Sequence, residues 1–170
     1  HCLLDQSEDK AVRRACAQWV VRLRDRAAID DFKRIWDAKD DPFRKDAGYI
    51  LAQEYSDPYG KAVLTEDLIF EEGEEGKALR AAEGLAEWLN DDAGADVMIR
   101  FLQTTFSPMS TSQGRGGSSS QLGRIMSVQR TLRNLLQGPH KKRVKEKIES
   151  AIRSTPKPFN RELAKEALGL

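Results

Sequence analysis

Apolar residues recur at three- and four-residue spacing in one stretch after another of this chain, and short polar breaks separate the stretches. Such spacing lines apolar side chains along one side of a helix. β-Branched and aromatic residues never alternate with polar ones over a usable length, so strands are not expected. The breaks carry residues that stop or start helices, among them Asp40-Asp41-Pro42, Ser56-Asp57-Pro58, Asn90 to Gly94 and Gly138-Pro139. The expected class is all-α, with about nine helices.

The spacing predicts helices over 8–25, 27–37, 40–55, 59–70, 77–90, 95–106, 121–137, 140–153 and 160–168. The fourth competes with a short extended piece, and helix is preferred. In the first, Ala11, Val12, Ala15, Cys16, Trp19, Val20 and Leu23 form the stripe expected to face the core. Arg13, Arg14, Arg22 and Arg24 mostly point elsewhere. In the eighth, Val144, Ile148 and Ile152 fall four apart.

At 170 residues the chain is long enough to bury a real core. Its net charge of +1 conceals an asymmetry: residues 1–98 hold 14 Lys and Arg against 23 Asp and Glu, whereas residues 99–170 hold 14 against 4. Two such halves either face different partners or attract each other. Residues 107–120, almost without apolar side chains, read as a flexible Ser/Gly-rich linker. The organisation expected is therefore an acidic helical region over 1–106, that linker, and basic helices over 121–170 completing the same array.

Long helices open on similar residues. Val12-Arg13-Arg14-Ala15, Phe43-Arg44-Lys45-Asp46-Ala47 and Leu79-Arg80-Ala81-Ala82 each begin apolar-Arg and carry small residues beyond, at spacings of 31 and 36. A period of about 30–45 residues with two helices per unit is the mark of an α-solenoid. The pattern resembles HEAT repeats of the armadillo-like class, best in Asp41-Pro42-Phe43-Arg44 with Ala47, Leu51 and Ala52. Asp9 lacks the following Pro, and Glu75-Gly76 stands where Asp-Pro is expected. The resemblance covers about 8–106 directly and extends to 121–168 by rhythm, pairing the sixth helix with the seventh and the eighth with the ninth. It implies stacked antiparallel helix pairs, a right-handed superhelix and a concave face that binds protein. Ala15, Ala47, Ala81 and Gly84 would let helices approach closely, and the leading Arg of each long helix would bridge to an Asp of a neighbouring repeat.

Catalytic chemistry finds few candidates. The two histidines, His1 and His140, have no Ser or Cys partner at a telling spacing. Paired carboxylates such as Asp40-Asp41 and Asp91-Asp92 sit at helix starts, where capping accounts for them. Asp91, Asp92 and Asp96 lack the spacing of an EF-hand loop. Gly114-Arg115-Gly116-Gly117-Ser118 lacks the Gly-Lys-Ser/Thr ending of a phosphate-binding loop. Neither an enzyme nor a cofactor nor a metal is expected.

Cys2 and Cys16 are read as free thiols in a reducing compartment, Cys16 as a small buried hydrophobe. No leader pattern is visible, no run approaches the roughly 20 apolar residues of a membrane span, and an intracellular location, cytoplasmic or nuclear, is expected. The start at His1 suggests a piece of a longer protein.

The strongest functional signal is cationic. Arg124, Arg130, Arg133, Lys141, Lys142, Arg143, Lys145 and Lys147, with Arg153 and Lys157, have few acids near them in sequence. These residues form either a solvated face or a candidate surface for binding an acidic protein or a membrane surface. They also suit nucleic-acid backbones, though Phe159 is the one aromatic beyond Phe106 for base stacking. Ser107, Ser110 and Ser118 are candidate phosphorylation sites. The function expected is a non-enzymatic protein–protein interaction scaffold or adaptor, part of a larger helical-repeat protein or a multi-protein complex; the alternative is a helical nucleic-acid binder.

Overall fold

A computed structural model describes residues 2–69, 74–105 and 119–154. The described residues are all-helical: eight α-helices and one 3-10 turn, with no strand among them. They divide into two compact units, His1–Asp67 and Leu68–Leu170. The expected ninth helix, and residues 107–118 of the expected linker, lie outside the described residues.

In the first unit, α1 spans Lys10–Arg22, α2 Ala28–Asp37, α3 Arg44–Tyr55 and α4 Lys61–Glu66, with the 3-10 turn at Pro58–Gly60. Aspartates set the starts. Asp9 Oδ1 accepts from Ala11 N at 2.7 Å, Asp41 Oδ1 from Phe43 N at 2.7 Å, and Asp57 Oδ1 from Tyr59 N at 2.8 Å. Each carboxylate satisfies a donor that the helix itself leaves free. Ser56 closes α3 in the left-handed region at φ 49°. The region expected as one helix over 59–70 is a 3-10 turn followed by the six-residue α4, which ends before Ile69.

Helix α3 is the centre of this unit, packed by α2, the 3-10 turn and α4. Phe32, Ile35, Phe43, Ala47 and Leu51 form a core shared with Leu3, Ala17 and Ala28. Gly48 marks the tightest approach. A Cβ there would lie 2.8 Å from Trp36 Cε3 and 2.9 Å from Val63 Cβ. Helix α1 is different: its backbone nears the other helices at few points. Its buried residues are Arg13 and Ala17, whereas Val12, Trp19 and Leu23 are 44%, 63% and 74% exposed. Of the expected core stripe, Cys16 and Val20 pack against the core while Ala11, Val12, Ala15, Trp19 and Leu23 are exposed, and Arg13, expected to point away, is inside. Ala17, not Ala15, makes the close contact.

Cys2 and Cys16 are joined in a disulfide, Cα to Cα 6.5 Å, which corrects the expectation of free thiols. The bond ties the segment before α1 onto the helix and holds Leu3 in the core. It also removes the observation on which a reducing compartment was argued.

In the second unit, α5 spans Glu75–Leu89, α6 Ala95–Thr105, α7 Ser119–Gln137 and α8 Lys141–Ser154. Asn90 in the left-handed region and the Asp91 cap on Ala93 N fold α5 back onto α6. Gly138 begins a still shorter turn that joins α7 to α8. The closest packing is within these two hairpins, and α5 lies against α7 and α6 against α8. Short turns therefore select pairs other than the expected pairing of the sixth helix with the seventh. Leu79, Met98, Val128, Leu132, Val144 and Ile148 fill the shared core. No helix among the described residues is long and apolar enough to cross a membrane.

Two predictions follow from the packing. Ala47→Leu inserts volume at a fully buried position and is expected to cost about 1–3 kcal/mol, read as a lowered denaturant midpoint; a wild-type midpoint contradicts tight packing of α3. Reducing the disulfide, or replacing both cysteines by alanine, opens a loop whose ends are 14 residues apart. The expected loss is about 3 kcal/mol, measured by denaturant titration with and without dithiothreitol.

Candidate interaction surfaces

The side chain of Arg13 is fully buried and that of Asp41 almost so. Arg13 Nη1 donates to Asp41 Oδ1 at 2.7 Å, and Nη2 donates to Oδ2 at 2.8 Å. Arg13 Nε donates to the Leu3 carbonyl at 2.9 Å, and the guanidinium lies 5.2 Å from the centre of the Phe43 ring. Gln6 Nε2 is 3.5 Å from Asp41 Oδ2. One guanidinium thus connects the N-terminal segment, α1 and the start of α3. Its hydrogen bonds hold the Asp41 carboxyl below the ordinary carboxylate range. Burial opposes that shift, while the Phe43 N–H and the Arg13 charge add to it.

Arg44 repeats part of this arrangement one helix pair further on. Its Nε donates to the Trp36 carbonyl at 2.9 Å, its Nη2 lies 3.1 Å from Glu66 Oε1, and its guanidinium stacks 3.7 Å from the Trp36 ring centre. Asp67, also nearly buried, accepts from Lys45 Nζ at 2.9 Å and Tyr49 Oη at 2.7 Å.

Because α1 is held to α3 through a long side chain, an open groove of about 390 Å³ remains between them. Ala17, Phe43 and Ile50 supply its apolar floor, and Arg14, Asp46 and Glu54 supply charge at its rim. Burial pushes the Asp46 carboxyl up, but hydrogen bonds and charge from Lys10 and Arg14 outweigh it and hold the group below its usual value.

In the second unit the residues named from sequence have varied surroundings. Arg130 Nη2 is 3.4 Å from Glu87 Oε1, Arg143 Nη2 is 2.7 Å from Asp92 Oδ1, and Lys147 Nζ is 2.6 Å from Asp96 Oδ2. Lys145 lies 3.8 Å from Glu149 within α8. Arg133 takes part in a polar interaction too. Arg124 lines a cleft with Arg80, Glu83 and Ser127, in which Glu83 Oε1 is buried without a hydrogen-bond partner. Lys141 and Lys142 are exposed at the start of α8. His140 Nε2 contacts the Asn90 carbonyl at 2.6 Å, and Nδ1 lies near Arg143 and Asp92. These contacts fix the two hairpins to each other. Ser107, Ser110 and Ser118 lie outside the described residues.

Asp91, Asp92 and Asp96 turn to different partners, and among the described residues no three His, Cys, Asp or Glu side chains gather as metal ligands. No protein-family model, curated protein or solved structure matches the chain. The Arg13 network escaped the sequence reading at one point. The repeated apolar-Arg opening signalled a bridge to an Asp, yet the stripe on α1 outweighed it in placing Arg13.

Asp41→Ala leaves a buried guanidinium without its counter-ion and is expected to cost about 3–5 kcal/mol near neutral pH. The folded carboxyl is depressed, so its contribution is complete above the unfolded value of about 3.9 and fades as pH falls toward the folded value. Denaturant titrations of wild type and Asp41→Ala from pH 7 to pH 2.5 check this: the gap between them is expected to narrow below about pH 3.9, and a constant gap contradicts the assignment.

Proposed function

We propose that the chain is a non-enzymatic protein–protein interaction scaffold of the HEAT-like kind, with the groove between α1 and α3 as a seat for a segment of a partner protein. The observation that carries this reading is the groove itself: an apolar floor beneath rims of both charge signs. Such a lining suits a peptide with an apolar face and polar edges. The HEAT-like part of the proposal draws support from Arg13 and Arg44, equivalent by sequence, each reaching a carboxylate of a later element, Asp41 just before α3 and Glu66 at the end of α4. The antiparallel hairpins α5–α6 and α7–α8 favour it too.

Nucleic-acid binding is the less favoured reading. Arg130, Arg143 and Lys147 already face carboxylates of α5, α6 and the turn between them. A phosphate backbone would have to compete with those carboxylates. The cationic side chains that remain most available for an acidic protein or a phosphate are Lys141 and Lys142.

The test uses two variants. Gln18→Glu with Glu54→Arg alters the groove rim, and Lys141→Glu with Lys142→Glu reverses the exposed charge at the start of α8. Affinity purification followed by mass spectrometry is expected to retain partners with the second variant and lose at least tenfold of them with the first. A fluorescence-anisotropy titration against generic duplex and single-stranded DNA is expected to show no binding at low salt. Micromolar binding that weakens steeply with salt, and disappears in the α8 variant, overturns the scaffold reading in favour of nucleic acid.

A further inference from the structure

Helix α1 has a second face, away from the groove. Val12, Trp19 and Leu23 are spaced seven and four apart, so they form one stripe about 16 Å long on a helix. All three are exposed, Trp19 at 63% and Leu23 at 74%. Ala11 and Ala15, also exposed, present only methyl groups beside Val12. Large apolar side chains aligned along one helix face, with small ones between them, form knobs and a hole on the same surface.

The charges at the two ends of this stripe differ in sign. Glu8 and Asp9 are exposed at the N-terminal end. At the other, Arg22 ends α1 and Arg24 and Arg26 follow in the turn beyond it with Asp25 between them; all four are exposed, leaving this end net positive, and the Arg22 guanidinium lies 5.6 Å from the Trp19 ring centre. No ion pair engages Glu8, Arg22, Arg24 or Arg26 among the described residues, whereas Lys10 and Arg14, toward the groove, are both taken by Asp46.

We propose that the outer face of α1 is a self-association surface, on which a second copy of the chain docks its own α1 in antiparallel orientation. A two-fold axis near Ala15 then sets Trp19 of each copy over Val12 and the small side chains of Ala11 and Ala15 of the other. The same operation brings Glu8 and Asp9 of each copy to the arginines of its mate, twice per dimer. A parallel pairing would set arginines against arginines and carboxylates against carboxylates. The interface is isologous, so a single patch satisfies both sides. Its area, one short helix face, lies at the low end for specific contacts, so association is weak and concentration-dependent. This inference is independent of the groove: Glu8, Trp19, Arg24 and Arg26, which its test changes, are not among the groove's lining residues, and loss of partner binding there leaves it standing.

Sedimentation equilibrium of the disulfide-intact chain tests it. Weight-average mass is expected to rise from 19.2 kDa toward twice that value over roughly the micromolar to millimolar range. A mass fixed at the monomer throughout overturns the proposal. Trp19→Glu is expected to remain monomeric with an unchanged melting temperature, because its side chain lies in solvent; dimerisation of this variant like wild type also overturns it. The decisive experiment exchanges charge. Glu8→Arg alone, and Arg24→Glu with Arg26→Glu alone, are each expected to weaken association by at least fivefold. Their equimolar mixture is expected to recover it, because basic ends then meet acidic ends at both sites. A mixture no tighter than either variant alone rules out the antiparallel dimer.

Discussion

The Arg13–Asp41 pair sets the geometry of the first unit. Burying two charges carries a large desolvation cost, which is offset only when geometry is good and remaining donors find acceptors. Both conditions are met. The pair is bidentate, the third guanidinium nitrogen is taken by the Leu3 carbonyl, and Asp41 also accepts from Phe43 N in the turn that leads into α3. A buried pair of this kind contributes less to net stability than to a unique arrangement. Here it fixes the rotation of α1 about its own axis. Arg13 must face Asp41, and every other residue of the helix takes the direction that this leaves.

That rotation explains why the sequence misleads on α1 and nowhere else to the same degree. Hydrophobic periodicity identifies which stretches are helical because it reflects a local geometry, and the expected helix positions agree with those described to within a few residues. It assigns the inward face only where burial of apolar area decides the rotation. On α2, α3 and α5 it does, and Phe32, Ile35, Leu51, Leu79 and Leu85 are inside as expected. On α1 a fully hydrogen-bonded ion pair and a disulfide fix the rotation instead, and Trp19 is left in water. The disulfide itself was not legible. Two cysteines 14 apart are compatible with free thiols or with a bond, and the choice depends on a chain reversal at residues 2–9 that no periodicity encodes.

Charge asymmetry along the chain was legible as a number but not as an arrangement. Seen from sequence, an acidic half and a basic half suggest two outward surfaces. In the second unit the acidic stretch holding Glu87, Asp92 and Asp96 folds against the basic stretch holding Arg130, Arg143 and Lys147. Most of these pairs are solvent-accessible and each contributes little energy. Together they bias which hairpin faces which, at a cost in cations left over for partners. Lys141 and Lys142 open the first turn of α8 between His140 and Arg143, which engage the α5–α6 turn, and their own side chains are exposed.

The length of the arginine side chain links these observations. Arg13 spans the distance between α1 and Asp41 at the entry to α3. The guanidinium reaches across that gap while its own polar groups stay satisfied, so α1 stands off from its neighbours with open surface on two sides. One side carries paired charges around an apolar floor; the other carries unpaired charges around an apolar stripe. Pairing status, more than composition, distinguishes the faces. A rim already neutralised by Lys10, Arg14 and Asp46 contributes little long-range steering and selects a ligand mainly by shape. The outer face retains its field at both ends, and that field has a polarity which a mate of the same sequence satisfies when reversed.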